Sequence, residues 1–261
     1  MFASKQGFFS QSNGFSNSLL FNTNPASPEV NMFISTSGTT DLVNWMNSGG
    51  FTVEYWCYNT DWPAGYGGSA NTTPGPGNHA QSTYNYWSFG PCDNGALQFY
   101  FYDGSAINRV STANSALTLN TWQNICFVCT PSSPGNNVVS MYINGAIQSI
   151  RLNGTGSYVT SLTIPDGAID ATRLFSMGAY GASFLFGYYD NIRVSNIQRY
   201  SGSSYTVATK PFTVDSNTQL LINPTGPSGS STIPYVTGSS SGTMSNSGNN
   251  VKISNTHYNH T

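Results

Sequence analysis

The sequence predicts an all-β protein, a sandwich or barrel of antiparallel strands, on three observations. Apolar and polar residues alternate in short runs, Gly, Asn, Asp and Pro punctuate those runs, and helical periodicity is nearly absent. More than ten such runs in 261 residues suit one all-β domain better than alternating strands and helices.

The first runs are Leu19–Phe21 and Met32–Ser35. Thr40–Met46 is expected to make one or two helical turns, with Thr40 or Asp41 as N-cap. Phe51–Tyr58 is β-branched and aromatic throughout, which predicts a strand buried on both faces. Thr60–Thr83 is rich in Gly and Pro around Trp62, Tyr66 and His79 and reads as a long surface loop. Strands are then expected at Tyr84–Phe89, Ala96–Tyr102, Ile107–Ser111 and Trp122–Thr130. Val138–Ile143 and Ala146–Arg151 flank Asn144-Gly145, the residue pair that supplies both positive φ angles of a type I′ hairpin. Leu174–Met177, Phe184–Ser195, Leu220–Ile222 and Val251–Ser254 complete the strands, and Asn196–Tyr200 is expected to form a short helical turn. Pro224–Asn250 is low-complexity Ser/Gly/Thr, but Ile233, Tyr235 and Val236 give it apolar points with which to lie on the sandwich.

Charge is scarce. Eight Lys+Arg and ten Asp+Glu make 7% of the chain, against about 25% in ordinary soluble domains. Ser (37), Asn (29), Thr (27) and Gly (27) together make nearly half of it, and aromatics reach 14%. A net charge of −2 with scattered basic residues offers no phosphate-neutralising patch, so no nucleic-acid partner is expected. No run approaches the length of a membrane span, and the first residues lack the apolar stretch of a signal peptide. The abundance of aromatic and β-branched residues argues against disorder.

Catalytic parts are missing. Glycoside hydrolysis needs two carboxylates flanking one bond, and the only Glu residues, Glu29 and Glu54, are far apart in sequence. The match at Gly238-Ser239-Ser240-Ser241-Gly242 lies in a Ser/Gly tract without the strand and helix of a nucleophile elbow. His79, His257 and His260 have no metal-ligand spacing. Cys126 and Cys129 lie on one expected strand, so they face opposite sides of the sheet and cannot share a metal or a disulfide. With Cys57 and Cys92 they are expected to be small buried hydrophobes. No catalytic residue is assigned, and a non-enzymatic protein is expected.

Six motifs stand in a familiar order: Ser18-Leu19-Leu20-Phe21-Asn22, Gly50–Tyr58, Leu119–Cys126, Met141-Tyr142-Ile143-Asn144-Gly145, Phe186–Ser195, and Arg199-Tyr200 followed by Lys210–Leu221. Together the motifs resemble laminin-G-like domains of the concanavalin A-like lectin/glucanase type, and the last is similar to the ending of copies encoded by phages and large marine viruses. The resemblance implies a jelly-roll sandwich of two curved antiparallel sheets. On this reading residues 1–17 are an N-terminal arm, 18–223 the sandwich, and 224–261 a C-terminal segment packed on the sandwich or on a neighbouring chain.

The resemblance implies glycan binding, an adhesion or virion module, or, in a subset of the family, polysaccharide cleavage, for which the paired carboxylates are missing. Open sheet edges are normally guarded by charge, and three Lys and two Glu cannot guard these. The main expectation is a virion structural or decoration protein at the particle surface, partnered by other virion proteins or copies of itself. The alternative is a carbohydrate-binding adhesion module outside any virion. For a glycan site the expected residues are Trp62, Tyr66, Asn71 and His79 in the long loop, with Tyr180; the other reading of Trp62 is a cap on the sandwich edge. The family also implies a structural Ca²⁺ near Asp190 and Asn191, the competing reading being a hydrogen-bonding Asp in a turn.

Overall fold

A computed structural model describes residues 17–22, 34–39, 47, 49–63, 74–77, 87–167, 174–180, 183–237 and 240–256. The expected turn at Thr40–Met46 lies outside the described residues.

The strands in chain order begin with β1 (Ser18–Phe21), β2 (Ile34–Thr39), β3 (Phe51–Asn59), β4 (Trp87–Pro91) and β5 (Leu97–Tyr102). Next come β6 (Ile107–Thr112), β7 (Trp122–Ser133), β8 (Asn136–Ile143), β9 (Ala146–Ile147) and β10 (Ile150–Leu152). β11 (Leu162–Pro165), β12 (Leu174–Met177), β13 (Ala179–Tyr180), β14 (Ser183–Phe184) and β15 (Gly187–Ser195) follow. The last are β16 (Thr218–Ile222), β17 (Pro234–Thr237), β18 (Ser240–Thr243), β19 (Ser245–Asn246) and β20 (Lys252–Ser254). The structure is all-β, as expected, and its strands form two main antiparallel sheets.

The first sheet runs β11-β8-β7-β3-β15. Beyond β15 one edge is shared end to end, by β1 along Gly187–Tyr189 and by β16 along Ile192–Ser195. From there β16 leads to β17 and β18, and β1 to β20. In the second sheet β10-β6-β5-β4 joins β12-β2-β19 through Gly77, which bridges Ser88 on one side and Ser176 on the other. That junction corrects the expectation of a surface loop across the whole of Thr60–Thr83: Pro74–Gly77 is buried. Only glycine fits there, because a Cβ at Gly77 would lie 2.4 Å from the Trp87 carbonyl oxygen.

Alternation along the strands puts one set of side chains between the sheets. Phe51, Val53, Tyr55 and Cys57 of β3, Ile125, Phe127 and Cys129 of β7, and Tyr189 of β15 face Trp87, Phe89, Phe99 and Phe101 of the second sheet. Phe99 and Phe127 stack across the core, centroids 3.8 Å apart and planes 12° from parallel. The expected Asn144-Gly145 turn is present, with φ of 50° and 78°. Its second strand is shorter than expected: only Ala146–Ile147 pairs with β8, and Ile150–Leu152 crosses to pair with β6 of the other sheet. The expected helical turn at Asn196–Tyr200 is an irregular strap instead, bent at Asn196 and Ile197. Thr52 fixes it to β3, its hydroxyl donating to the Ile197 carbonyl (2.7 Å) and accepting from the Arg199 amide (3.0 Å).

Candidate functional site: a tyrosine-walled pocket on the outer face

The outer face of the first sheet carries a small buried cluster of its own, Cys126, Val128 and Tyr142, with Ile147, Tyr200 and Tyr205 packed against it. By strand register Arg193, Glu54, Cys126, Tyr142 and Ile147 stand in one row across β15, β3, β7, β8 and β9. Glu54 is fully buried in this row. Its Oε1 accepts from Arg193 Nε (2.9 Å) and Nη2 (2.7 Å), and its Oε2 accepts from the Tyr200 hydroxyl (2.8 Å). Burial pushes the Glu54 carboxyl above the usual carboxylate range, and the Arg193 guanidinium pulls it back. The Phe212 ring covers the other side of that guanidinium, 3.8 Å from its centre.

The strap after β15 lies across the row. Tyr200 stacks on Tyr205, Tyr205 meets Tyr142 edge to face at 5.3 Å, and the Tyr205 hydroxyl donates to Asn124 Oδ1 at 2.6 Å. The Tyr142 hydroxyl donates to the Gly202 carbonyl at 3.0 Å. Arg199 fixes the outer end of the strap through a two-pronged pair with Asp215, at 2.8 and 2.9 Å. That guanidinium holds the Asp215 carboxyl well below the usual range.

Between this strap and the sheet lies a pocket of about 340 Å³. Val128, Ser140 and Tyr142 form its floor, with Gln198, Tyr200 and the Ser201–Ser203 backbone on one side and Thr160 and Ser161 on the other. No charged side chain lines it. The Gln198 amide donates to the Tyr200 carbonyl at 3.1 Å, which turns one end of that amide inward on the strap. Neutral hydroxyls, an amide and aromatic rings are the groups that hold sugar hydroxyls and sugar C–H faces, at a volume that suits a small ligand.

The residues singled out from sequence are elsewhere. Trp62 is half-buried at the edge of the inter-sheet core, its indole packed beside Gly95. Tyr66, Asn71 and His79 lie outside the described residues. Tyr180 stands in β13, which pairs with β14 as a separate two-stranded ladder. Asp190 and Asn191 form a β-bulge, at which β15 gains one residue against β3. Asn191 has a φ of 54°, and its Oδ1 accepts from the Phe212 amide at 2.8 Å. Desolvation raises the buried Asp190 carboxyl to about 8. One buried carboxylate and an amide oxygen already committed to backbone fall short of the six to eight oxygens that calcium takes. Among the described residues no group of three His, Cys, Asp or Glu could hold a metal ion.

Sequence reasoning passed over Tyr142, Tyr200 and Gln198 as a site. One signal was present: Glu54 in a strand expected to be buried on both faces needs a cation and donors on the outer side. All four cysteines are buried and outside any disulfide, and Cys126 joins the outer cluster while Cys129 joins the inner core, on opposite faces as expected.

Comparison with known proteins agrees with this architecture. Residues 34–200 match the laminin-G-like family model described as the concanavalin A-like lectin/glucanases superfamily. No curated protein matches the chain. Among solved structures, one from Bacteroides ovatus, described as a "putative carbohydrate binding protein", is similar at TM-score 0.53 and 17% identity over 92% of this chain. The match spans 60% of that protein's length. A heptameric SAP-like pentraxin from Limulus polyphemus aligns at TM-score 0.37 and 13% identity, over 71% of this chain and 78% of its own. The family model matches well over half of the sequence, and the chain belongs to the concanavalin A-like lectin/glucanases superfamily.

Proposed function

We propose that the protein is a non-catalytic carbohydrate-binding module that holds a neutral saccharide in the pocket between the β7–β8 face and the Gln198–Ser203 strap. The observation that carries this is the lining: hydroxyls, an amide and two tyrosines beside the aliphatic Val128, Val138 and Ile147, with no charged side chain. Glu54 is the carboxylate nearest in the sheet, and it is committed to Arg193 and Tyr200 rather than free for acid–base work. The similarity of fold to a protein described as carbohydrate binding supports the same reading. The virion-decoration expectation rests on composition and resemblance; neither the fold nor the comparisons add to it.

The test is a neutral glycan array, followed by calorimetry of the strongest hit against wild type and Ser140→Leu. The leucine side chain fills the pocket floor from β8 without touching the buried network. A loss of tenfold or more in affinity is expected. An array without hits, or an unchanged affinity in Ser140→Leu, overturns the assignment.

A further inference from the structure

A second pocket lies on the opposite side of the molecule, on the outer face of the second sheet, with a volume of about 250 Å³. Gln98 of β5, Arg109 and Ser111 of β6 and Arg151 of β10 project into it, joined by Asn114 and Asn153. These positions alternate with Leu97, Phe99, Val110 and Ile150, which belong to the inter-sheet core, so their outward direction is fixed by the strand period.

The distribution of arginine singles this pocket out. Four of the described residues are arginines. Arg193 and Arg199 are each paired with a carboxylate, Glu54 and Asp215. Arg109 and Arg151 converge on the pocket, and the Nε atoms of both are buried without a hydrogen-bond partner among the described residues. Each guanidinium lies instead over a tyrosine ring, Arg151 4.7 Å from the Tyr158 centroid and Arg109, more loosely, 5.9 Å from that of Tyr100. Stacking uses the face of a guanidinium and leaves the donors on its rim uncommitted. Asp93 lines the same pocket as its one carboxylate, is exposed to solvent, and forms no ion pair with either arginine.

We propose that this pocket is an oxyanion site that takes a carboxylate or sulfate group carried on a saccharide. Two preoriented guanidiniums offer the charge-assisted, paired hydrogen bonds that such groups accept. Ser111 and Asn114 are placed to meet the neutral hydroxyls of the same sugar, while Asn153, which accepts from the Arg109 amide at 2.8 Å and donates to Asn108 Oδ1 at 3.0 Å, fixes the rim. The site is independent of the tyrosine-walled pocket, since the two lie on outer faces of different sheets.

The experiment titrates the intact protein with an oligogalacturonate, a sulfated oligosaccharide, sodium sulfate and a neutral oligosaccharide of equal length, by calorimetry at matched ionic strength. Arg109→Gln and Arg151→Gln are each expected to weaken the acidic ligands at least tenfold and leave the neutral one unchanged. Arg109→Lys/Arg151→Lys keeps both charges and both stems, so it controls for misfolding; it is expected to fall between wild type and the Gln variants. Thermal midpoints without ligand identify any variant that is merely unfolded. Preference for oligogalacturonate names the carboxylate as ligand, preference for the sulfated chain or sulfate ion names the sulfate. The proposal is overturned if neither acidic class binds, if the neutral oligosaccharide competes at the same site, or if a folded Arg→Gln double variant binds acidic ligands as wild type does.

Discussion

Tyr200 lies flat against Tyr205, ring centroids 3.7 Å apart and planes 9° from parallel, while its hydroxyl donates to Glu54 at 2.8 Å. One side chain thus ties the pocket wall to a buried ion pair in the sheet below. The wall is held from inside the protein, and damage to the ion pair is expected to reach the pocket.

Removing one member of that pair leaves an uncompensated buried charge. Arg193→Met and Glu54→Leu are each expected to destabilise the protein by about 3–5 kcal/mol. The double variant is expected to recover most of that loss, because the charges leave together. A double-mutant cycle by urea unfolding measures both quantities, and additive losses would show that the pair is not coupled.

The hairpin turn is expected to matter for the same wall. Gly145 has a φ of 78°, and a Cβ there would lie 2.3 Å from the Tyr205 carbonyl oxygen. Its own carbonyl accepts from the Tyr205 amide at 2.8 Å. Gly145→Ala is expected to cost about 1–3 kcal/mol and to weaken saccharide binding by displacing Tyr205. Thermal melting and calorimetry on the same sample separate the two effects.

Thiol chemistry follows burial. Desolvation pushes the thiols of Cys57 to about 12 and of Cys92 to about 11, and raises those of Cys126 and Cys129 as well. At pH 8 the native protein is expected to resist iodoacetamide, and all four thiols are expected to react once it is unfolded. Rapid labelling of any of them under native conditions would contradict their placement.

Asp190 gives a signed pH dependence. Its folded value of about 8 stands above the unfolded 3.8, so the folded state holds the proton more tightly. Below about pH 4 the group is neutral in both states and carries no penalty. Between pH 4 and 8 only the unfolded state releases the proton, and stability falls by up to about 1.4 kcal/mol per pH unit. Asp190→Asn is expected to flatten that slope and to raise the melting temperature at pH 7. Calcium at Asp190 and Asn191 would produce the reverse: a lower melting temperature in the variant, and sensitivity of the wild type to EDTA.

Much of this architecture is legible in the sequence where a local rule has no competitor. Asn144-Gly145 admits one tight turn, and the two cysteines of Cys126–Cys129 must face apart on any strand. Phe51–Tyr58 announces burial on both faces because nothing in it but Glu54 prefers water. Legibility ends where a distant segment decides the outcome. Ala146–Arg151 reads as one strand, yet Ile150–Leu152 leaves for the other sheet to meet β6. Asn196–Tyr200 reads as a helical turn, but Thr52, far away in sequence, offers two hydrogen bonds to its backbone and holds it against β3. The tyrosine-walled pocket was hidden for the same reason. Tyr142 and Tyr200 are far apart in the chain, and only the strand register that places Glu54 beside Cys126 and Cys126 beside Tyr142 brings their rings to one surface.

The pairing of β1 with β20 has a mechanical meaning. Ser18 stands opposite Ser254 and Leu20 opposite Lys252, so the outer flanks of the two strands leave the ladder at the same point. Tension applied through those flanks would load the hydrogen bonds one after another, as a zipper opens, instead of shearing them together. β20 would peel from β1 and from its backbone bonds to Gly229 and Ser230, and β1 would follow from β15, while β3 and β7, bonded along Phe51–Tyr58, would remain paired in the middle of the sheet. If these flanks bear load, the protein yields first at that edge and keeps both pockets.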